Sequence, residues 1–208
     1  MNKDTTEWIH SMLQTISIPS EDIPNIDLYM DQITTFMDTR LADSKRYPDD
    51  KIITKTMVNN YTKNHLLPPS VKKKYSREHV FLLILIYHLK NMLSISDIQS
   101  LLEPLSDHYF PKDKESGLSL RDIYDKILAQ TEDKHPFIEN EIQKDYENSR
   151  NSFAEYPLSQ EESEYLDDFS FIYGLCYDIY VRKQMIEKII DYRREQKAPF
   201  VEKKSKKK

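Results

Sequence analysis

The sequence predicts an all-α protein, and three observations carry that reading. Apolar residues return at three- and four-residue steps through most of the chain, as one face of an α-helix requires. Sustained period-two alternation, the pattern of half-buried strands, does not occur. Only two glycines, Gly117 and Gly174, stand in 208 residues, so hairpin-rich sheets and phosphate-cradling loops have almost no raw material.

The elements follow in order. Between Asp4 and Ile18, the residues Trp8, Ile9, Met12, Leu13 and Ile16 line one side of a helix that Pro19 and Pro24 end. Ile26 to Leu41 repeats the pattern with Tyr29, Ile33, Phe36, Met37 and Leu41, and the polar hinge ADSKRYPDDK follows. A short helix over about 54–64, capped by Thr54 or Asp50, must be over before Pro68 and Pro69. Ser76 to Met92 forms a helix around the apolar run VFLLILIY. A shorter one from about Ser96 to Leu102 is halted by Pro104. Helices near Ser119 to Gln130 and Phe137 to Phe153 lead to a long last helix, Ser159 to about Lys197. Ser159-Gln160-Glu161-Glu162 opens that helix as a capping box.

Composition bounds the setting. Charged residues make up 31% and apolar residues 38%, which suits a helical protein in water. VFLLILIY is too short to span a bilayer. Met1 is followed by polar residues rather than a secretion leader, and the single Cys176 fits a reducing interior. The expectation is a cytoplasmic protein with no membrane partner.

Charge singles out one stretch. From Lys51 to Arg77 there are seven basic residues (Lys51, Lys55, Lys63, Lys72, Lys73, Lys74, Arg77) and no acid, although the whole chain carries −5. Such segregation draws a polyanion to one face. On a helical wheel Ile53, Met57, Val58 and Tyr61 gather on one side. Lys55, Thr56, Asn59, Thr62 and Lys63 gather on the other, with Asn60 at the edge. Lysines suit phosphates; asparagine and threonine can read base edges in a major groove.

The run TKTMVNNYTKNHLLPPSVKKKYSREHVFLLILIYHLKNMLSISDIQSLL resembles the MerR-type winged helix-turn-helix. Tyr61, Leu66 to Pro69, the short wing Val71 to Lys74, Tyr75-Ser76, the helix Val80 to Lys90 and Ser94 to Leu102 carry the likeness. Departures from that family are Asn59 in place of an arginine, His65 in place of a glycine, and a wing without a glycine turn. Over most of its length the chain resembles a bacterial family known only as a domain of unknown function (number eighteen thirty-six), through Leu28-Tyr29-Met30-Asp31-Gln32 and Thr54 to Tyr61. These resemblances imply a MerR-like DNA-binding fold with a minimal wing, followed by a C-terminal helical bundle.

The expected organisation is an N-terminal helix and linker at 1–27 and a helix-turn-helix domain at 28–103. A helical dimerisation or regulatory region at 104–197 and a basic tail at 198–208 complete it. The expected function is a sequence-specific DNA-binding transcriptional regulator, with double-stranded DNA as partner. Its candidate contacts are Lys55, Thr56, Asn59, Asn60, Tyr61, Lys63, Lys72, Lys73, Lys74 and Arg77. A non-catalytic protein-interaction adaptor on the same scaffold is the alternative.

No catalytic set emerges, so no enzyme is expected. The six histidines are scattered without His-x-x-x-His or paired cysteines, which gives neither a metal nor a cofactor site. Adjacent acids such as Glu161-Glu162 and Asp167-Asp168 point different ways on a helix. In the last helix Leu166, Phe169, Ile172, Tyr173, Cys176, Ile179 and Tyr180 recur at helical steps. Packing in a bundle is one reading of that stripe. A homodimer interface or small-molecule effector pocket at Phe169, Tyr173, Tyr177 and Tyr180 is the other. Asn151 to Val181 holds seven acids and no base, so this region faces away from DNA.

Overall fold

The computed structural model describes the backbone at residues 5–15, 17–110 and 117–202, and side chains at 7–13, 17–110 and 117–196. Helix dominates as expected. The helices are α1 (Thr5–Thr15), α2 (Met30–Arg40), α3 (Lys55–Lys63), α4 (Arg77–Leu89), α5 (Ile95–Tyr109), α6 (Leu120–Glu132), α7 (His135–Ser149) and α8 (Gln160–Glu202). Two short strands, β1 (Leu28–Tyr29) and β2 (Lys74–Tyr75), pair antiparallel with Leu28 opposite Tyr75 and Tyr29 opposite Lys74. Of the first helix, expected over Asp4 to Ile18, the start Asp4 and the stripe residue Ile16 lie outside the described residues, and Ile18 is buried beyond the helix end at Thr15.

The chain forms two units, 12–132 and 133–208 together with 1–11. In the first, α4 is the centre. Val80, Phe81, Leu82, Leu83, Ile84 and Ile86 are all buried, so this helix is enclosed on nearly every side. Ile33 and Met37 of α2, Val58 and Tyr61 of α3, Ile98 and Leu102 of α5, and Leu120 and Tyr124 of α6 complete the core. The Tyr124 ring lies 4.8 Å from that of Phe81, and its hydroxyl donates to the Ile18 carbonyl at 2.6 Å. Burial, then the nearby Asp125 and Glu132, keeps that phenol from ionising. Lys90 ties in the loop before α3 by donating to the Ile52 carbonyl at 2.8 Å.

Three expectations need correction. The helix expected from Ile26 starts at Met30, because Leu28 and Tyr29 are drawn into a strand by β2. Pro104 does not halt α5, which runs on to Tyr109. The missing N–H forfeits one bond to the Ser100 carbonyl, yet buried Ile98 and Leu102 anchor the helix before it and the ladder resumes behind it. A boundary at 103 would also cut α5 and part α6 from α4, against which it packs.

In the second unit α7 and α8 form a helical hairpin. Glu141 pairs with Arg182 at 3.1 Å, the Tyr146 and Phe171 rings are 5.4 Å apart, and Arg150 lies 3.7 Å from Asp168. These pairs descend along α8 as they ascend along α7, so the two helices are antiparallel. The capping box at Ser159 is present: its hydroxyl accepts from the Glu162 N–H at 3.3 Å, and Glu162 accepts the Ser159 N–H at 2.8 Å. Phe169, Tyr173, Tyr177 and Tyr180 all stand more than half exposed, so they line no enclosed effector pocket.

Candidate nucleic-acid interface

Helix α3 is amphipathic and well closed at both ends. Thr54, rather than Asp50, caps it, accepting the Met57 N–H at 3.2 Å. Asp50 instead accepts the Tyr47 N–H in the preceding turn. At the far end His65 takes a left-handed conformation (φ 57°), the Leu66 N–H bonds the Tyr61 carbonyl at 2.9 Å, and the His65 N–H bonds that of Thr62 at 3.1 Å. That is a Schellman closure with histidine where glycine is cheapest. It buries Leu66 and Leu67 directly beneath the helix end.

With Val58 and Tyr61 turned inward, Lys55, Thr56, Asn59, Asn60 and Lys63 are left exposed. Tyr61 is buried at 8% exposure and its hydroxyl is held protonated by burial, so it stands behind this face rather than on it. Asn60 uses its carbonyl to accept from the Asn64 side chain at 2.8 Å, leaving its own amide to solvent.

The lysine run is a tight hairpin. Val71 and Lys74 exchange both backbone hydrogen bonds, at 3.0 and 2.9 Å, around Lys72 (φ 51°) and Lys73 (φ 65°). Two consecutive left-handed residues define a type I′ turn, which strongly favours Asn-Gly. Here it projects two lysines into solvent. Lys74 differs: it is half-buried in β2, with its ammonium 5.3 Å from the Tyr29 ring centre.

Tyr29 leads straight into α2, where Asp31 forms an ion pair with Lys55. The corner between β1 and α2 therefore gathers the start of α3 and the base of the hairpin. The same helix sends Asp38 to Lys45 at 2.8 Å. That hydrogen bond, with the charges of Lys45 and Lys51, holds the Asp38 carboxyl below its ordinary range. A stretch free of acids in sequence is thus answered by two carboxylates in space, and no run of residues 51–77 could have revealed them.

Arg77 leaves the face altogether. Its guanidinium donates to the Ser20 carbonyl and lies 5.6 Å over the Phe81 ring, a structural role within the core. Among the described residues, Lys63, Lys72 and Lys73 have no acidic partner. The exposed set is therefore Lys55, Thr56, Asn59, Asn60 and Lys63 on α3 with Lys72 and Lys73 on the hairpin.

Sequence reasoning passed over His79. It is buried, and its Nδ1 accepts the Ser76 N–H at 2.9 Å, standing where a capping box normally has glutamate. Tyr75 and Phe110 meet its ring edge-on at 5.3 and 4.6 Å. Only the Ser-x-x-His spacing ahead of the apolar run hinted at it.

The family model described as Domain of unknown function (DUF1836) matches residues 18–127. The chain belongs to this family. The match falls within the unit that carries α2 to α6 and excludes α7 and α8. No curated protein and no solved structure matches the chain. Among the described residues, no helix is long and apolar enough to cross a membrane and no His/Cys/Asp/Glu group could hold a metal ion.

Proposed function

We propose that this DUF1836 protein is a cytoplasmic, sequence-specific DNA-binding regulator of transcription, built on a MerR-like helix-turn-helix with α3 as the recognition helix and the hairpin as its wing. One observation carries the reading: α3 hides its apolar residues and presents lysines, asparagines and a threonine on one exposed face. Lys72 and Lys73 at the hairpin tip suit backbone phosphates, and Asn59 and Asn60 suit base edges.

The experiment is a titration of the full chain against random duplex at several salt concentrations, followed by selection of a preferred site from a random pool. Binding that weakens steeply with salt, together with an enriched motif, supports the proposal. An enriched motif lost on Asn59→Ala assigns its reading to α3. No retention on any duplex at low salt overturns the reading and leaves the adaptor, which needs no polyanion.

A further inference from the structure

We infer that Tyr87 and Lys90, at the end of α4, form a clamp on the segment between α2 and α3. This clamp sets the position of α3 from which Asn59 and Asn60 reach base edges. Both are positioning residues, and the inference rests on α3 being the helix that reads DNA.

The need for a clamp arises from length. A helix-turn-helix normally fixes the angle between its helices through a turn of about three or four residues. Here fourteen residues, 41–54, separate α2 from α3. Arg46 to Lys51 are exposed without a break, so the middle of this segment sends no side chain into the core. A connection of this length and exposure does not transmit an angle by itself. Burial of Val58 and Tyr61 chooses which side of α3 faces inward. Apolar burial is non-directional, however, and places a helix less sharply than hydrogen bonds do.

The clamp supplies direction at both ends of the exposed stretch. At its entrance, the Ser44 hydroxyl donates its one proton to the Leu41 carbonyl at 2.7 Å and so accepts from the Tyr87 hydroxyl at 2.6 Å. At its exit, the Lys90 ammonium donates to the Ile52 carbonyl at 2.8 Å, two residues before Thr54 caps α3. The two grips act together, because Lys90 Nζ lies 4.7 Å from the centre of the Tyr87 ring. Burial pushes the Lys90 pKa below the ordinary lysine value, in keeping with an ammonium that has exchanged water for a carbonyl and a ring. Both residues stand on the helix whose side chains from Val80 to Ile84 are all buried, the firmest support in this unit. Recognition needs its groups held to within about 0.5 Å, and orienting hydrogen bonds from a rigid element serve that need.

The test compares Lys90→Met and Tyr87→Phe with wild type, free and on DNA. Lys90→Met keeps the stem and loses the donor. Tyr87→Phe keeps the ring, loses only the hydroxyl, and is decisive where Lys90→Met fails to fold. Hydrogen exchange of the free chain reads the Lys45 and Asp50 amides of the hinge and the Met57 and Val58 amides at the start of α3, all hydrogen-bonded in wild type. They should exchange roughly tenfold faster or more in Lys90→Met and about three- to tenfold faster in Tyr87→Phe, with the α4 core unchanged. Kd for the preferred site should rise by similar factors, while Kd for scrambled duplex barely changes, since no phosphate contact is lost. Lys90→Arg keeps a charged donor and should restore both readouts. Unchanged exchange in both variants overturns the clamp, whatever the chain does on DNA. Faster exchange with unaltered discrimination between the duplexes overturns its part in reading. A wild type that binds no duplex removes the DNA reading and that part with it, and the clamp itself then stands or falls on the exchange.

Discussion

The ammonium of Lys74 lies 5.3 Å from the centre of the Tyr29 ring, and two residues further on Asp31 holds the ammonium of Lys55. The hairpin and the first turn of α3 thus lean on one short corner of backbone. That corner places an acid inside the face proposed to meet DNA.

Asp31→Asn should strengthen binding to every duplex alike. Both partners of its pair are well exposed, so the pair itself contributes little, about 0–1 kcal/mol, to stability. Loss of an acid from the first turn of α2 costs at most about 1 kcal/mol. Lys55, once released, adds up to one phosphate contact, and the salt dependence should steepen by up to roughly one log-log unit. Titrations at several salt concentrations decide it; unchanged or weaker binding would show that Lys55 does not meet phosphate.

Lys72 and Lys73 set stability against function. Each L-residue held in the left-handed region costs roughly 1–2 kcal/mol, a cost Asn-Gly largely avoids. Lys72→Asn/Lys73→Gly should therefore raise the urea midpoint by an amount equivalent to about 1–2 kcal/mol. The same variant should flatten the salt dependence of DNA binding by up to two units, since two cations are gone. A variant that is more stable yet binds DNA as well as wild type would remove the hairpin from the interface.

His65→Gly carries no such trade. The residue closes α3 at φ 57°, and its side chain is exposed. Glycine there should add about 0.5–1 kcal/mol of stability without changing affinity for DNA. Destabilisation in urea unfolding would mean that His65 makes contacts worth more than its backbone strain.

The parts of this fold readable from sequence are those with local causes. VFLLILIY announced an enclosed helix because eight apolar residues in a row leave no wet face, and Ser159 announced a helix start through Glu162 three residues on. The exposed side of α3 followed from wheel geometry alone. What stayed hidden depends on distant residues. Asp31 meets Lys55 across 24 positions, Arg77 turns to the Ser20 carbonyl across 57, and β1 exists only because Lys74 and Tyr75 come alongside it. Local spacing carries no trace of such pairings. The basic stretch therefore looked more uniform in sequence than it is in space.

His79 should make stability fall in mild acid. Burial is the main influence and pushes its pKa below the ordinary 6.5; the Pro69 and Pro68 carbonyls, Glu78 and Asp27 oppose this and are outweighed. The unfolded chain thus takes up the proton first, and protonation also removes the acceptor that caps α4. The contribution of neutral His79 is whole above about pH 6.5 and declines as pH falls below that value toward its folded pKa. His79→Gln keeps a side-chain acceptor for the Ser76 N–H but cannot titrate. Melting temperatures measured between about pH 5 and 8 should drop in wild type and stay flatter in the variant. Parallel curves would place the acid sensitivity elsewhere.

Asn59→Ala separates reading from holding. Asn59 is exposed one turn beyond Lys55 and one turn before Lys63, so a helix laid in a groove would carry it between two phosphate contacts. It has no charge and therefore adds little to non-specific binding. Its amide can accept from and donate to adenine at once, a contact worth about 1–3 kcal/mol of discrimination. On the selected site the variant should lose that amount, roughly tenfold or more in Kd, and on scrambled duplex almost nothing. Lys63→Ala should do the reverse, weakening both duplexes equally and flattening the salt slope by nearly one unit. Equal losses from Asn59→Ala on both duplexes would show that α3 holds DNA without reading it.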